Sequence, residues 1–228
     1  MDYKTLEKIY KSRNTVIEML IDRKYDKEFL EKNYYNKTFT EFKDMQKEKN
    51  IDINVKSHIK NKICSVIFYD PFSKIKKDDF LNITDNLKDN MEMSEIDNGF
   101  SYNLIIVTME KLPHQVLKLI SDINAKTNDD EYEKHIKIEH FIYNELIFNK
   151  TKHKLVPKHI VLDDNEANEL LEQYKITKKE LPKIIVTGSA KRNPDVIAKY
   201  LGIEQGDIVK IIGTSETSGI YINYRVAV

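Results

Sequence analysis

Hydrophobic residues near the N-terminus recur at intervals of three and four positions. This spacing brings them onto one face of a helix and predicts an amphipathic α-helix that packs against other elements. A second helical stretch, over 39–45, ends in the polar run KDMQKEKN. The residues that form the first apolar stripe are Leu6, Ile9, Tyr10, Val16, Ile17, Leu20 and Ile21.

The hydrophobic period then changes to short, β-branched runs. KICSVIFYD (62–70) and YNLIIVTM (102–109) predict buried strands, and the mixed segment between them predicts a helix. LPHQVLKLISDI (112–123) predicts a helix with Pro113 in its first turn. HIKIEHFIYNELIFNK (135–150) fits a strand or a helix. Alternating strands and helices predict an N-terminal α/β domain with a small mixed sheet.

The polar segment NKTKHKLVPKH (149–159) separates two styles of sequence and predicts domains at 1–150 and 151–228. In the second domain, Asp163 and Glu166 have capping-box spacing. They predict a helix with its apolar stripe on Ala167, Leu170, Leu171 and Tyr174.

A second helix of this domain is predicted to begin at Asn193-Pro194 and to stop at Gly202. Its expected buried face consists of Val196, Ile197, Tyr200 and Leu201.

The last segments, DIVKII and IYINYRVAV, alternate in the manner of paired strands and flank a seven-residue loop, 213–219. The domain is therefore predicted to be a compact α+β domain that ends in a β-hairpin. The alternation places Tyr221, Asn223, Arg225 and Ala227 on one face of the last strand. The other face carries Ile220, Ile222, Tyr224, Val226 and Val228.

Composition limits the classes of function. Lys+Arg and Asp+Glu both number 37, and this zero net charge argues against a free nucleic-acid-binding module, although that alternative stays open. Cys64 is the single cysteine, so no disulfide forms within the chain. No apolar run has the length of a membrane helix, and the N-terminus lacks a signal-peptide core. These features predict an intracellular protein in a reducing compartment, with no membrane partner.

The search for catalytic chemistry leaves one enzymatic alternative. The six histidines lack zinc-site spacing, no phosphate-binding glycine loop is present, and Cys64 lies in an apolar run typical of a buried thiol. Asp70 ends one predicted strand and Glu110 follows another, and with Lys111 they suggest a metal-dependent nuclease. Because Glu110 and Lys111 are adjacent, their side chains would point to opposite faces of a strand. We therefore expect no catalytic residue, no metal and no cofactor.

The C-terminal motifs resemble a known family. LVPKHIVL (155–162), ELLEQYKI (169–176), LPKI (181–184), YLGIEQGDIVKII (200–212) and SETSGIYINYR (215–225) resemble the assembly domain of the subunit shared by the three eukaryotic nuclear RNA polymerases, which has a smaller relative in the archaeal RNA polymerase. YKSRNTVIEMLIDRKY (10–25) and KIEHFIYNELIFN (137–149) resemble the jaw domain that the eukaryotic type carries in addition. The segment between LPKI and YLGI is longer than in the family, and EKLPHQ (110–115) lacks its Thr-Pro-Ser motif.

The resemblance implies a non-catalytic subunit of a DNA-directed RNA polymerase. Its C-terminal domain would dock on the largest subunit, among other polymerase subunits, and its jaw would lie near downstream double-stranded DNA. Lys111 and His114 are the expected DNA-proximal residues. The Lys-rich and Asn-rich composition suggests a large DNA virus or an AT-rich protist, and so a nuclear location, a viral factory in the host cytoplasm, or a virion. The expected docking residues are Pro157, Glu216, Thr217, Tyr221 and Arg225.

Overall fold

The chain forms two compact units in a computed structural model: unit 1, Met1–Phe148, and unit 2, Asn149–Val228. The predicted boundary lies two residues later, between residues 150 and 151. The structure describes residues 2–35, 37–48, 51–57, 61–91, 99–125, 135–186, 194–215, 217 and 219–228.

Unit 1 combines helices with a mixed four-stranded sheet of order β1-β2-β3-β4, in which β1 is antiparallel to β2 and the other pairs are parallel. Its described elements are α1 (Tyr3–Asp22), α2 (Lys27–Asn33), α3 (Phe39–Lys47), β1 (Ile53–Ser57), β2 (Lys62–Phe68), α4 (Lys77–Asp89), β3 (Ser101–Thr108), α5 (His114–Asn124) and β4 (Ile136–Ile142).

Strand β3 lies between two parallel neighbours and is buried on both faces, which explains why its sequence is a continuous apolar run rather than an alternating one. On one face, Leu104 and Ile106 join a core cluster with Phe80 of α4 and Val116 of α5. The opposite face of the sheet carries Asn103, which contacts side chains around the end of α1. The predicted order of strand, helix, strand and helix is thus confirmed over β2, α4, β3 and α5.

A buried ion pair ties the end of α1 to the sheet. The Arg23 guanidinium donates from Nη1 to Glu139 Oε1 at 3.1 Å and from Nη2 to Oε2 at 2.7 Å. Asn103 Nδ2 donates to the same carboxylate at 3.3 Å. The Arg23 and Glu139 side chains are only 5% and 12% exposed. Burial alone raises the pKa of Glu139, but the charge of Arg23 and these hydrogen bonds outweigh it and lower the pKa to about 2.

Three features of unit 1 differ from the sequence predictions. The ambiguous segment 135–150 is a strand, β4, followed by the short 3-10 turn Tyr143–Leu146. Helix α5 begins at His114, and Pro113 is its N-cap rather than a residue of its first turn. Strand β1 and helix α2 were not predicted, because each has five to seven residues and too few apolar positions to display a period.

Unit 2 has a mixed sheet of order β5-β7-β8-β6, in which β6 runs parallel to β8 and the other pairs are antiparallel. One face packs a helix through Leu170, Ile208 and Val226, and the other packs a second helix through Ala198 and Val209. The described elements are β5 (Lys158–Val161), α6 (Asp164–Tyr174), β6 (Lys183–Ile184), α7 (Val196–Leu201), β7 (Ile208–Ser215) and β8 (Gly219–Ala227). The mixed α and β class is confirmed.

The capping box of α6 is confirmed: the Asp163 carboxylate accepts from the Glu166 N–H at 2.8 Å, and the Glu166 carboxylate accepts from the Asp163 N–H at 3.1 Å. At its other end, Tyr174 is exposed rather than part of a buried stripe, and its ring lies 6.4 Å from that of Tyr224.

The predicted start of α7 is wrong. Asp195 is the N-cap, because its carboxylate accepts from the N–H groups of Ile197 and Ala198, both at 2.9 Å. Pro194 precedes the helix, and Asn193 lies outside the described residues. Val196 is exposed instead of buried, because it is the first residue of the helix and directly follows the exposed N-cap residue. The helix does stop at Gly202, whose φ of 65° lies in the left-handed region.

The substitution Glu139→Gln is expected to destabilise unit 1 by about 3–5 kcal/mol, because it removes the charge that pairs with the buried Arg23 guanidinium. Native-state hydrogen exchange of the amides of β3 measures this opening free energy, while the amides of unit 2 serve as an internal reference. Glu110→Gln is the control: Glu110 pairs with Lys74 at 3.0 Å in solvent, so its loss should cost less than about 1 kcal/mol. Equal costs for the two variants would contradict this account.

The same pair predicts an acid-sensitive unit 1. Because the folded pKa of Glu139 is about 2, below the ordinary value of 4.5, its contribution is complete above pH 5 or so and is lost as the pH falls toward 2. The loss should amount to roughly 3 kcal/mol. Unfolding measured across this range should therefore show a steeper loss in the native chain than in Glu139→Gln. Parallel pH profiles would refute the assignment.

Candidate functional site

The C-terminal hairpin is tighter than its sequence predicts. Strand pairing continues through Thr214 opposite Ile220 and Ser215 opposite Gly219, so four of the seven predicted loop residues, 213–215 and 219, lie in strands. Gly219 has a φ of 71°, a backbone conformation that favours glycine. Thr214 and Ser215 therefore belong to the paired strands rather than to a long open loop.

The hydroxyl groups of the hairpin satisfy nearby polar groups. Ser215 Oγ accepts from the Thr217 N–H at 3.3 Å and lies 3.0 Å from Thr217 Oγ1. This is the backbone-satisfying role typical of Ser and Thr in turns. Glu216 and Ser218, which the sequence placed beside them, lie outside the described residues.

Tyr221 covers a glycine on the neighbouring strand. It pairs with Gly213 across the ladder, and a Cβ atom added to Gly213 would overlap Cζ and Oη of the Tyr221 side chain. The ring therefore occupies the space of the missing side chain, an arrangement that supports a glycine within a strand. Gly213 allows this close approach because it has no side chain. Its backbone conformation does not itself require glycine.

The other predicted docking residues lie at different places in unit 2. Arg225 shares the face of β8 that carries Tyr221, and its Nη1 donates to the Lys183 carbonyl at 3.4 Å. Pro157 precedes β5, where its carbonyl lies 2.8 Å from His159 Nδ1. Since a carbonyl only accepts, His159 carries its proton on Nδ1 in this contact. Tyr221 and Arg225 thus lie on one face of β8. Pro157 lies at the start of β5, which is on the other side of β7 from β8.

The sequence prediction missed an apolar surface on the opposite face of β8. Ile220 and Ile222 are 72% and 49% exposed, although they continue the row that includes buried Val226. Helix α6 packs against the buried end of this row but not against the end next to the loop. Alternation in the sequence indicates which residues share a face but not where the packed helix ends, so it could not identify this surface.

In unit 1, loops at the carboxyl ends of β2 and β3 enclose a groove with a volume of about 250 Å³. Lys111 is exposed at this groove, and His114 begins α5 immediately after the lining residue Pro113. The sequence prediction missed Phe72, a lining residue that is 70% exposed, and Lys74, which bonds Glu110 across the groove. The turn signal Asp70-Pro71 marked this loop but not its side-chain exposure.

The acids of the nuclease alternative have local roles. Asp70 accepts from the Phe72 N–H at 2.9 Å, and Glu110 pairs with Lys74. In the part of the chain that the structure describes, no group of three or more His, Cys, Asp or Glu side chains could hold a metal ion.

Cys64 is buried, as expected, and burial raises the pKa of its thiol to about 12. Within the described ranges, no helix has the length and apolar character needed to cross a membrane.

Comparison with known proteins identifies relatives. Residues 148–227 match the family described as RNA polymerase Rpb5, C-terminal domain. The chain is 28% identical over 223 residues to the DNA-directed RNA polymerases I, II, and III subunit rpabc1 of Dictyostelium discoideum, an alignment that covers 98% of each chain. It is 40% identical over 105 residues to the RPABC1 subunits of Caenorhabditis briggsae and Caenorhabditis elegans, with 46% of each chain covered.

The chain is homologous to a shared RNA polymerase subunit. The resemblance inferred from the C-terminal motifs is confirmed at that level, and the matched residues correspond closely to unit 2. The archaeal relationship and a viral source stay predictions. So do the roles of the individual docking and DNA-proximal residues.

Gly213→Ala is expected to displace the Tyr221 ring and to destabilise unit 2 by about 1 kcal/mol, because the new Cβ and the ring cannot share one position. Once Tyr221→Ala has removed the ring, adding Gly213→Ala should cost nearly nothing. A double-mutant cycle based on exchange of the β7 amides measures the coupling between the two positions. Additive effects would show that Tyr221 does not cover Gly213.

Proposed function

We propose that the chain is a non-catalytic subunit of a multisubunit DNA-directed RNA polymerase. The observation that carries this proposal is the match of residues 148–227 to the polymerase domain, together with similarity to one shared subunit along 98% of the chain. The local roles of Asp70 and Glu110 give no support to the nuclease alternative. The chemistry of RNA synthesis would then belong to other subunits.

Unit 2 is the proposed docking unit and contacts the largest subunit. Its hairpin presents exposed apolar side chains on one face and the polar pair Tyr221 and Arg225 on the other. Residues 149–228 include 13 Lys and Arg against 10 Asp and Glu, a net charge of +3. A surface of this kind suits a protein partner with apolar groups and a complementary negative charge.

Unit 1 is the proposed jaw and would lie near downstream DNA. Its groove exposes Lys111 beside Phe72, and His114 follows at the start of α5. Residues 1–148 include 24 Lys and Arg against 27 Asp and Glu, a net charge of −3. Any DNA contact is therefore local and weak, and it depends on the polymerase to hold the unit in place. Because the chain is proposed to act as part of a polymerase, it works wherever that polymerase transcribes, in a nucleus or in a viral factory.

Affinity purification of the tagged full chain tests the proposed function. We expect the two largest polymerase subunits to be recovered with it, as identified by mass spectrometry. Joint replacement of Glu216 and Arg225 by Ala should lower this recovery severalfold while the circular dichroism spectrum stays unchanged. Lys179→Ala, which removes another exposed cation of unit 2, is the matched control and should assemble normally. A tagged chain that stays monomeric and recovers no polymerase would overturn the proposal.

A further inference from the structure

Strand β8 is longer than the strand that covers its outer side. It spans nine residues, Gly219–Ala227, whereas β6 has two residues and pairs only with Val226 and Ala227. On its inner side, β7 pairs with β8 from Ser215 opposite Gly219 to Ile208 opposite Val226. Among the residues that the structure describes, the outer edge of β8 from 219 to 225 has no strand beside it.

The hydrogen bonds at the end of β8 establish which backbone groups face this edge. The Val226 N–H donates outward to the Pro182 carbonyl at 2.8 Å, and the Val228 N–H donates outward to the Ile184 carbonyl at 2.9 Å. The Ala227 N–H instead donates inward to Asp207, at 2.9 Å. Because successive residues of an antiparallel pair alternate in this way, the outward-facing backbone groups are those of Ile220, Ile222 and Tyr224.

This edge lacks the usual protection against pairing. Natural edge strands carry charged residues, proline or bulges that prevent another strand from adding. Gly219–Tyr224 reads GIYINY, with no charge and no proline, and its pairing with β7 is regular. The side chains of Ile220 and Ile222, beside the outward-facing groups, are also exposed. Backbone groups and apolar surface are thus available together along one open edge.

We propose that an extended segment of the largest polymerase subunit adds as a strand to the outer edge of β8, between Gly219 and Arg225. This inference rests on the proposed function and specifies the contact through which unit 2 docks. Main-chain hydrogen bonds from Ile220, Ile222 and Tyr224 hold the added strand, in line with β6. Strand addition of this kind gives affinity through the backbone and specificity through alternate side chains.

The two faces of β8 define the chemistry of the added segment. On one face its side chains pack beside Ile220 and Ile222, so these alternate positions are apolar. On the other face they lie beside Asn223 and Arg225, so these positions are polar, with an acid near the guanidinium. The Arg225 side chain makes one hydrogen bond within the described residues, to the Lys183 carbonyl, which leaves its other donors for this acid. A second copy of unit 2 is disfavoured, because each copy carries a net charge of +3.

Residue-resolved hydrogen exchange of the full chain, alone and within the purified polymerase, tests the proposal. Odd-numbered amides of β8 already bond to β7 and should be protected in both states. The amides of Ile220, Ile222 and Tyr224 should exchange rapidly in the free chain and slow at least tenfold in the polymerase. An assembled chain whose three outward amides stay fast would overturn the added strand and leave the proposed function standing. Protection of the same amides in a free dimer of the chain would assign the edge to self-association instead, and would also overturn it.

A pair of variants separates the backbone contact from the side-chain contact. Ile222→Pro removes the side chain and the outward N–H, which β7 does not use, and Ile222→Ala removes the side chain alone. Both should retain the native circular dichroism spectrum. We expect Ile222→Pro to lower recovery with the largest subunit at least fivefold below Ile222→Ala. Equal recovery of the two variants would refute strand addition. If the proline variant loses its fold, the exchange experiment on the native chain decides alone.

Discussion

The hydrogen-bond ladder between β7 and β8 is the interaction on which unit 2 depends. It joins eight residue pairs and supplies the two faces against which α6 and α7 pack. Leu170 lies on one side of this ladder, and Ala198 lies on the other. The ladder continues past both helices toward the loop, where β8 has exposed isoleucines and, among the described residues, no strand beside its outer edge. The features that we assign to docking are therefore the part of the ladder that the domain does not bury.

Unit 1 is organised by a different constraint. Parallel β2, β3 and β4 are covered on one face by α4 and α5, and Arg23 and Glu139 form a buried ion pair on the other. The bidentate geometry of the pair and a further hydrogen bond from Asn103 help to offset the cost of burying two charges. The loops at the carboxyl ends of β2 and β3 take no part in this ion pair. Lys111 and Phe72 are exposed on these loops.

Much of this architecture can be predicted from the sequence, because burial imposes a period on it. The stripe of α1, the apolar run of β3 and the capping box of α6 each identify their element. Prediction fails where an element is too short to display a period, as in β1 and β6. It also fails where several caps compete: Asp195, and not Asn193, begins α7, because its carboxylate reaches two N–H groups.

The candidate site is harder to predict, for a related reason. Tyr221 and Arg225 can be assigned to one face of a strand from alternation alone. That β6 covers only the last two residues of β8 is a consequence of tertiary pairing, and no local pattern reveals it. The exposure of Ile220 and Ile222 likewise depends on where α6 stops packing.

Strand addition at β8 can be seen in a cryo-electron microscopy map of the polymerase, purified through its largest subunit from the source organism. We expect density for this chain, with a segment of the largest subunit lying as a strand beside Ile220 and Ile222. A map of the complete enzyme that lacks this chain, or that shows it bound with the edge of β8 open to solvent, would rule out this mode of docking.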